Sequence, residues 1–381
     1  MLGGKKAMQT IDMIFGLHFY QPPTQRKDVL AKIVDECYRP LLDAIGEMGH
    51  IVTADICASL LEQLAERHPD VIAAFRRLAK SGLISFANTA AYHALLPLTP
   101  KKLILRQLAQ NEKWYRDCEL IAQDARLRGI FPPEMAFSPH LIPFLREAGC
   151  EWFVSDDDPY LALSNAEAPM DWIPEQDGMK CLLRSRLWSN RISFHMPPGE
   201  ETARCISRDI SREYAAKPNA YLVIWMDAET FGHHHKGAIG NFFVPFLRTV
   251  QQLPIRLTTP ETLVASYPAS PARIPSGSWS TSREDLYAGI PFSLWAHPEE
   301  RWHELWWKLA YLAIEIADGH AELYDACDKA LYSCQPWWMR YPKRNKELFL
   351  WALPLFHRVI DHGTPDQKKL GLACIYELAN A

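Results

Sequence analysis

The chain has 381 residues, a net charge of −4 and a pI near 6.4, with 48% hydrophobic and 23% charged residues. That balance lacks the basic excess of a nucleic-acid or anionic-membrane binder, and no apolar run reaches the roughly 18 residues of a membrane span. Nine cysteines without a CxxC pair argue against a disulfide framework or a structural zinc site, and Met1–Asp12 carries two lysines but no apolar segment of the secretory type, so a cytoplasmic protein is expected.

In chain order, Met13–His18 reads as a buried strand. It is followed over Asp28–Met48 by helical spacing of Val29, Ile33, Leu41, Leu42 and Ile45. Ile51–Ala54 is a second strand, Ser59–Lys80 a helix, Leu83–Ala87 a third strand, Lys101–Asp124 a long helix and Gly129–Phe131 a fourth strand. Pro139–Ala148 is a short helix and Glu151–Ser155 a fifth strand; Ile192–His195 and Tyr221–Met226 read as two more. Strand and helix alternate, which predicts a parallel sheet covered by helices, and runs buried on both sides favour a closed barrel over an open doubly wound sheet. After about residue 270, Pro268, Pro271 and Pro275 mark a crossing into helical segments near 298–318, 320–333, 343–362 and 366–379, a region holding eight of the 13 tryptophans. The expected division is a barrel over 1–270 and a helical domain over 271–381.

Polar residues stand where the strands end: His18, Asp55, Asn88, Glu134, Asp156-Asp157-Asp158 and Asp227. In a barrel of this kind such positions form one rim, where active sites lie. Glu134 follows a strand in the rigid turn Phe131-Pro132-Pro133-Glu134, and Asp227 follows Leu222-Val223-Ile224-Trp225-Met226 with Glu229 and His233 beside it. Two carboxylates at the exits of buried strands are what glycoside hydrolysis needs, and a carboxyl in an apolar, like-charged setting acts as an acid. His18 and His93 follow strands that reach the same rim. Trp279, in the loop Ser276–Ser282, offers an indole face to a sugar ring. His233-His234-His235 are adjacent and diverge, a poor ligand set, so no metal or other cofactor is expected.

Several segments resemble, in order, the motifs of glycoside hydrolase family 57, the family of α-amylases, 4-α-glucanotransferases and α-glucan branching enzymes. His18-Phe19-Tyr20-Gln21-Pro22 resembles the first, Gly82–Leu98 the second through Tyr92-His93 and Leu95-Leu96-Pro97-Leu98, and Gly129–Ser138 the third. Asp227-Ala228-Glu229-Thr230-Phe231-Gly232-His233 resembles the fourth and Gly277-Ser278-Trp279 the fifth. Tyr20 stands where the first motif often has a second histidine, and Ser85 where the second often has a glutamate. The resemblance implies a (β/α)7 barrel followed by a C-terminal helical region that closes the active site. It assigns Glu134 as nucleophile and Asp227 as acid/base of a retaining hydrolase. His18, His93, Glu229, His233 and Trp279 would hold the sugar at the point of cleavage, and Asp156 or Asp157 sugar hydroxyls further along. The implied partner is an α-glucan or maltooligosaccharide, cut in α-amylase fashion. Transfer or branching by the same pair, a metal-dependent carbohydrate deacetylase and a non-catalytic glycan-binding protein are the alternatives.

Overall fold

A computed structural model describes residues 10–164, 168–215, 217, 219–339 and 345–380. Ten strands appear among them: β1 Thr10–Phe19, β2 Val52–Ile56, β3 Ile84–Ala87, β4 Gly129–Ile130, β5 Trp152–Asp156, β6 Ile173–Gln176, β7 Met179–Arg184, β8 Asn219–Asp227, β9 Ile255–Leu257 and β10 Ala269–Pro271. β1 is central. It pairs in parallel with β8 from Thr10 to His18, while its other edge is shared by β9 at Ile11–Met13 and β2 at Gly16–Phe19. β2 continues to β3, and β8 through β7 to β5 and β4, all in parallel. β3 and β4 meet only at the bridge Asn88–Ile130, where Asn88 N–H donates to the Gly129 carbonyl at 2.7 Å and Phe131 N–H to the Asn88 carbonyl at 2.9 Å. β7 and β8 share a single register pair, Arg184 with Val223. The seven strands β1, β2, β3, β4, β5, β7 and β8 thus follow a (β/α)7 barrel whose ladder is thin at two joints.

Every residue of β1 after Thr10 is buried, as expected of a strand covered by side chains within and helices without. The interior is filled by Ile14, Phe131, Trp152, Val154, Leu182, Val223 and Trp225. Two indoles lie flat across the barrel because their neighbours have no side chain. A Cβ on Gly16 would sit 2.0 Å from Trp225, and one on Gly129 1.9 Å from Trp152.

The structure corrects three readings of the sequence. Ile192–His195 is not a strand but part of a π-helical turn, Arg191–His195, that continues the helix Arg186–Asn190. Its place in the barrel is taken by β7, which forms an antiparallel hairpin with β6. The helix expected over Ser59–Lys80 is two, Ala58–Arg67 and Pro69–Lys80, because Pro69 cannot donate into a continuing helix. The helix from Lys101 ends at Asp117. Beyond the barrel, Arg301–Asp318 packs with Leu353–Ile360 and Pro365–Ala379 around Trp306, Phe356 and Ile316. This core also takes in Ala94, Leu95 and Ala136 from barrel loops, so the helical region is seated on the rim. Of the helix expected at 343–362, residues 343 and 344 lie outside the described residues; Lys346–Leu350 and Leu353–Ile360 make up the rest.

Candidate active site

Register explains why residues far apart in sequence converge. His18 is paired with Asp55 on β2 and with Asp227 on β8, so three strand ends deliver their polar side chains at one level. A cleft of about 680 Å³ opens there, lined by His18, His93, Glu134, Asp227, Glu229 and Trp279 among others. Six of the nine residues expected at the site therefore meet in one cleft.

Glu134 has φ 59° and ψ 16°, the left-handed region that non-glycine residues rarely enter, and His93 has φ 58°. Backbone strain of this kind persists only where surroundings enforce it, and three of the six non-glycine residues with positive φ among the described residues, His93, Glu134 and Met135, line the cleft. For Glu134 the enforcement is visible. Its carbonyl accepts from Trp279 N–H at 3.2 Å, and Phe137 and Gly277 exchange two main-chain bonds next to it. The carboxylate is held at both oxygens: Trp279 Nε1–H donates to Oε2 at 2.8 Å and Ser333 Oγ–H to Oε1 at 2.7 Å. Burial raises its pKa, with Asp227 adding to the shift, while the two donors and the His18 charge oppose it.

His18 Nδ1 lies 2.6 Å from Asp55 Oδ2, and Asp55 Oδ1 accepts from Trp225 Nε1–H at 2.9 Å. Burial works against a charged imidazole, but the Asp55 charge and hydrogen bond, with Asp227 and Glu229 near, outweigh it and raise the pKa to about 9. The Phe131 ring stacks on His18 with centroids 5.0 Å apart and also stacks with Trp225 at 5.2 Å. His93 is driven the opposite way, well below the usual range, by burial and by the neighbouring His18 cation. Tyr20 lies parallel on the His93 ring at 3.9 Å. Glu229 is buried and accepts from Gln21 Nε2–H at 2.8 Å and from the Tyr38 hydroxyl; burial first, then the Asp227 charge, raise its pKa to about 7.

Three expected residues stand elsewhere. Asp156 is fully buried, with Oδ2 2.8 Å from Arg184 Nη1 and Oδ1 3.0 Å from Arg186 Nε, and it is Arg184 that lines the cleft. Asp157 accepts from Arg186 N–H at 3.0 Å. His233 Nδ1 lies 2.7 Å from Glu36 Oε2, His235 Nε2 lies 2.7 Å from the Ser193 carbonyl, and only His234 of the three lines the cleft. Sequence reasoning also misses Ser333, Gln21, Tyr38 and Arg184. Gln21 carries a usable signal, since it follows the same strand exit as His18; Ser333 carries none, because its partner lies 199 residues away.

The model of glycosyl hydrolase family 57 matches residues 14–274 of the chain. An α-amylase of Pyrococcus abyssi is 30% identical over 166 residues, which cover 43% of this chain and 25% of that protein. A 4-α-glucanotransferase of Thermococcus litoralis is 28% identical over 166 residues, covering 43% of this chain and 24% of the relative. The chain thus matches only about a quarter of the length of these curated relatives. Among solved structures, the 4-α-glucanotransferase of Thermococcus litoralis superposes with a TM-score of 0.78 at 20% identity, over 94% of this chain and 61% of that one. The branching enzyme of Pyrococcus horikoshii superposes at 0.75 and 16% identity, over 98% of this chain and 95% of that one. With two thirds of its length matched by the family model and the same fold throughout, the chain belongs to glycosyl hydrolase family 57.

Proposed function

We propose that the protein is a retaining glycoside hydrolase acting on α-glucans, with Glu134 as nucleophile and Asp227 as acid/base. The observation that carries this reading is the different treatment of two carboxylates on one cleft. Glu134 is gripped at both oxygens in a strained loop, which suits a group that must attack one carbon from one direction. Asp227 ends β8 in an exposed position paired with His18, which suits a group that passes a proton to and from a leaving oxygen. In the first step Glu134 bonds to the anomeric carbon as the glycosidic bond breaks and Asp227 protonates the departing oxygen. In the second, Asp227 takes a proton from water, which displaces Glu134 and restores both groups. The His18 cation, Arg184 and Glu229 supply donors and acceptors for sugar hydroxyls, and Trp279 a stacking face. Residues 271–381 act in this reading as the domain that closes the site.

A second reading, transfer to a sugar hydroxyl, uses the same pair. It is favoured by the wall of Trp337, Trp338 and Trp351 along the cleft, whose faces bind sugar and exclude water. Incubation of the protein and its Glu134→Ala and Asp227→Ala variants with maltoheptaose tests both readings. Shorter sugars from the wild type alone mean hydrolysis, and a ladder of longer and shorter ones means transfer. Turnover that survives Glu134→Ala would refute the assignment.

A further inference from the structure

Ser333 comes from outside the barrel, yet its buried hydroxyl lies between two residues of the cleft, 2.7 Å from Glu134 Oε1 and 2.8 Å from His93 Nδ1. Main-chain bonds put it there. Ser333 N–H donates to the His93 carbonyl at 2.9 Å, and Ala94 and Tyr332 form an antiparallel bridge alongside. Beyond His93 the contacts continue: His93 Nε2 lies 3.1 Å from His18 Nε2, and His18 Nδ1 lies 2.6 Å from Asp55 Oδ2. Five side chains from four strand exits and the helical region form one unbroken row.

The donor inventory orients this row. Its two ends are carboxylates, which only accept. Asp55 therefore takes the His18 Nδ1 proton and Glu134 takes the Ser333 proton. The Ser333 oxygen then accepts from His93 Nδ1–H, which leaves one proton between the two facing Nε2 atoms. Contact with Asp55 keeps that proton on His18, so His93 is neutral and accepts. The pKa directions of the two rings, His18 up and His93 down, agree with this assignment. Reversing the serine would leave Glu134 Oε1 without this donor.

We propose that Ser333 is the positioning residue of the nucleophile. Its hydroxyl, aimed by the Asp55–His18–His93 row, fixes one oxygen of Glu134 while Trp279 fixes the other, so the plane of the carboxylate is set by residues that follow the barrel in sequence. The inference rests on the reading of Glu134 as nucleophile. It also gives the region after the barrel a direct part in the chemistry, since Trp279 and Ser333, the donors to the two oxygens, both lie within residues 271–381.

The test compares Ser333→Ala, Ser333→Thr, Glu134→Ala and wild type with maltoheptaose, together with a ¹³C-carboxyl titration of Glu134 assigned by Glu134→Gln. The groups facing Glu134 are Trp279, Ser333, His93, Asp227, His18 and Cys334. Ser333→Ala removes only an oxygen. We expect kcat to fall about 10- to 100-fold with KM changed less than about threefold, because a misplaced reactive group costs rate rather than binding. Glu134 titrates at higher pH in this variant, since its charged form has lost a donor, and Ser333→Thr restores both properties. Wild-type kcat with an unchanged Glu134 titration in Ser333→Ala overturns the inference. A rate loss that merely follows a lowered Tm, with no change in titration, does so as well. Activity that persists in Glu134→Ala refutes the nucleophile reading instead, and the titration still reports whether Ser333 holds the carboxylate.

Discussion

Asp156 offers a sharp choice between structure and substrate. If it binds sugar, Asp156→Asn weakens substrate binding and leaves the fold alone. The geometry argues for the reverse. Its side chain is 0% exposed and lies between Arg184, whose side chain is 5% exposed, and Arg186, at 20%. Arg184 also donates from Nε to the Trp225 carbonyl at 2.8 Å and from Nη2 to Asn190 Oδ1 at 2.9 Å, so it laces β7 to β8 where their ladder has a single register pair. In the asparagine variant the guanidinium keeps these neutral acceptors but loses the carboxylate in contact with it, and removing one partner of a buried pair costs about 3–5 kcal/mol. Arg186 loses less, because it is partly exposed and keeps Asp158. For a chain of 381 residues the unfolding entropy is about 0.8 kcal/mol/K, so Tm should fall by about 4–6 °C. Calorimetry reads this directly, and KM for maltoheptaose at a temperature well below the transition reads the alternative. An unchanged Tm with a severalfold higher KM would refute the structural argument and make Asp156 a sugar ligand.

His18 links stability to pH. Its folded pKa of about 9 lies above the unfolded value near 6.5, so its stabilising contribution is complete below pH 6.5 and is lost as pH rises through 9. The shift corresponds to about 3 kcal/mol. Urea unfolding at pH 6, 7.5 and 9.5 should show that decline in the wild type and a much flatter profile in His18→Gln; equal slopes would remove the claim. Gly16→Ala tests the barrel interior: its Cβ would meet the Trp225 ring at 2.0 Å, and that ring cannot retreat without dropping its hydrogen bond to Asp55. Overpacking of this kind costs about 1–3 kcal/mol. We therefore expect a lower Tm and a smaller pH dependence of stability, and a variant that melts with the wild type would show that the indole has room to move.

Six of the seven ring strands are legible in the sequence because each is a short apolar run buried on both sides and ended by a polar residue. The seventh illustrates what period alone cannot decide. Ile192-Ser193-Phe194-His195 alternates like a strand, but with Ile192 buried and Phe194 61% exposed the same four residues serve one turn of helix equally well. The true strand, Met179-Lys180-Cys181-Leu182-Leu183-Arg184, is masked by charged residues near both ends, yet it has a stronger local signal. Asp177-Gly178 forms the two-residue turn of the β6–β7 hairpin, with φ 49° and 80°, and an Asp-Gly pair is the dipeptide such turns demand. Local turn chemistry outranks apolar alternation here.

The site divides along a similar line. Glu134, Asp227, His18 and His93 are legible because each follows a strand and the barrel brings strand ends together. Asp156 follows a strand too, but burial turns it toward Arg184 and Arg186, and no rule about strand ends foresees that a carboxylate will face its own wall. Ser333 is the opposite case, a residue without any local mark that completes the row from Asp55 to Glu134. The motif that carries Glu134 spans Gly129–Ser138, whereas the groups that hold its carboxylate come from residues 279 and 333. A local motif thus brings the carboxylate to the rim, while its two hydrogen-bond donors come from 145 and 199 residues further along the chain.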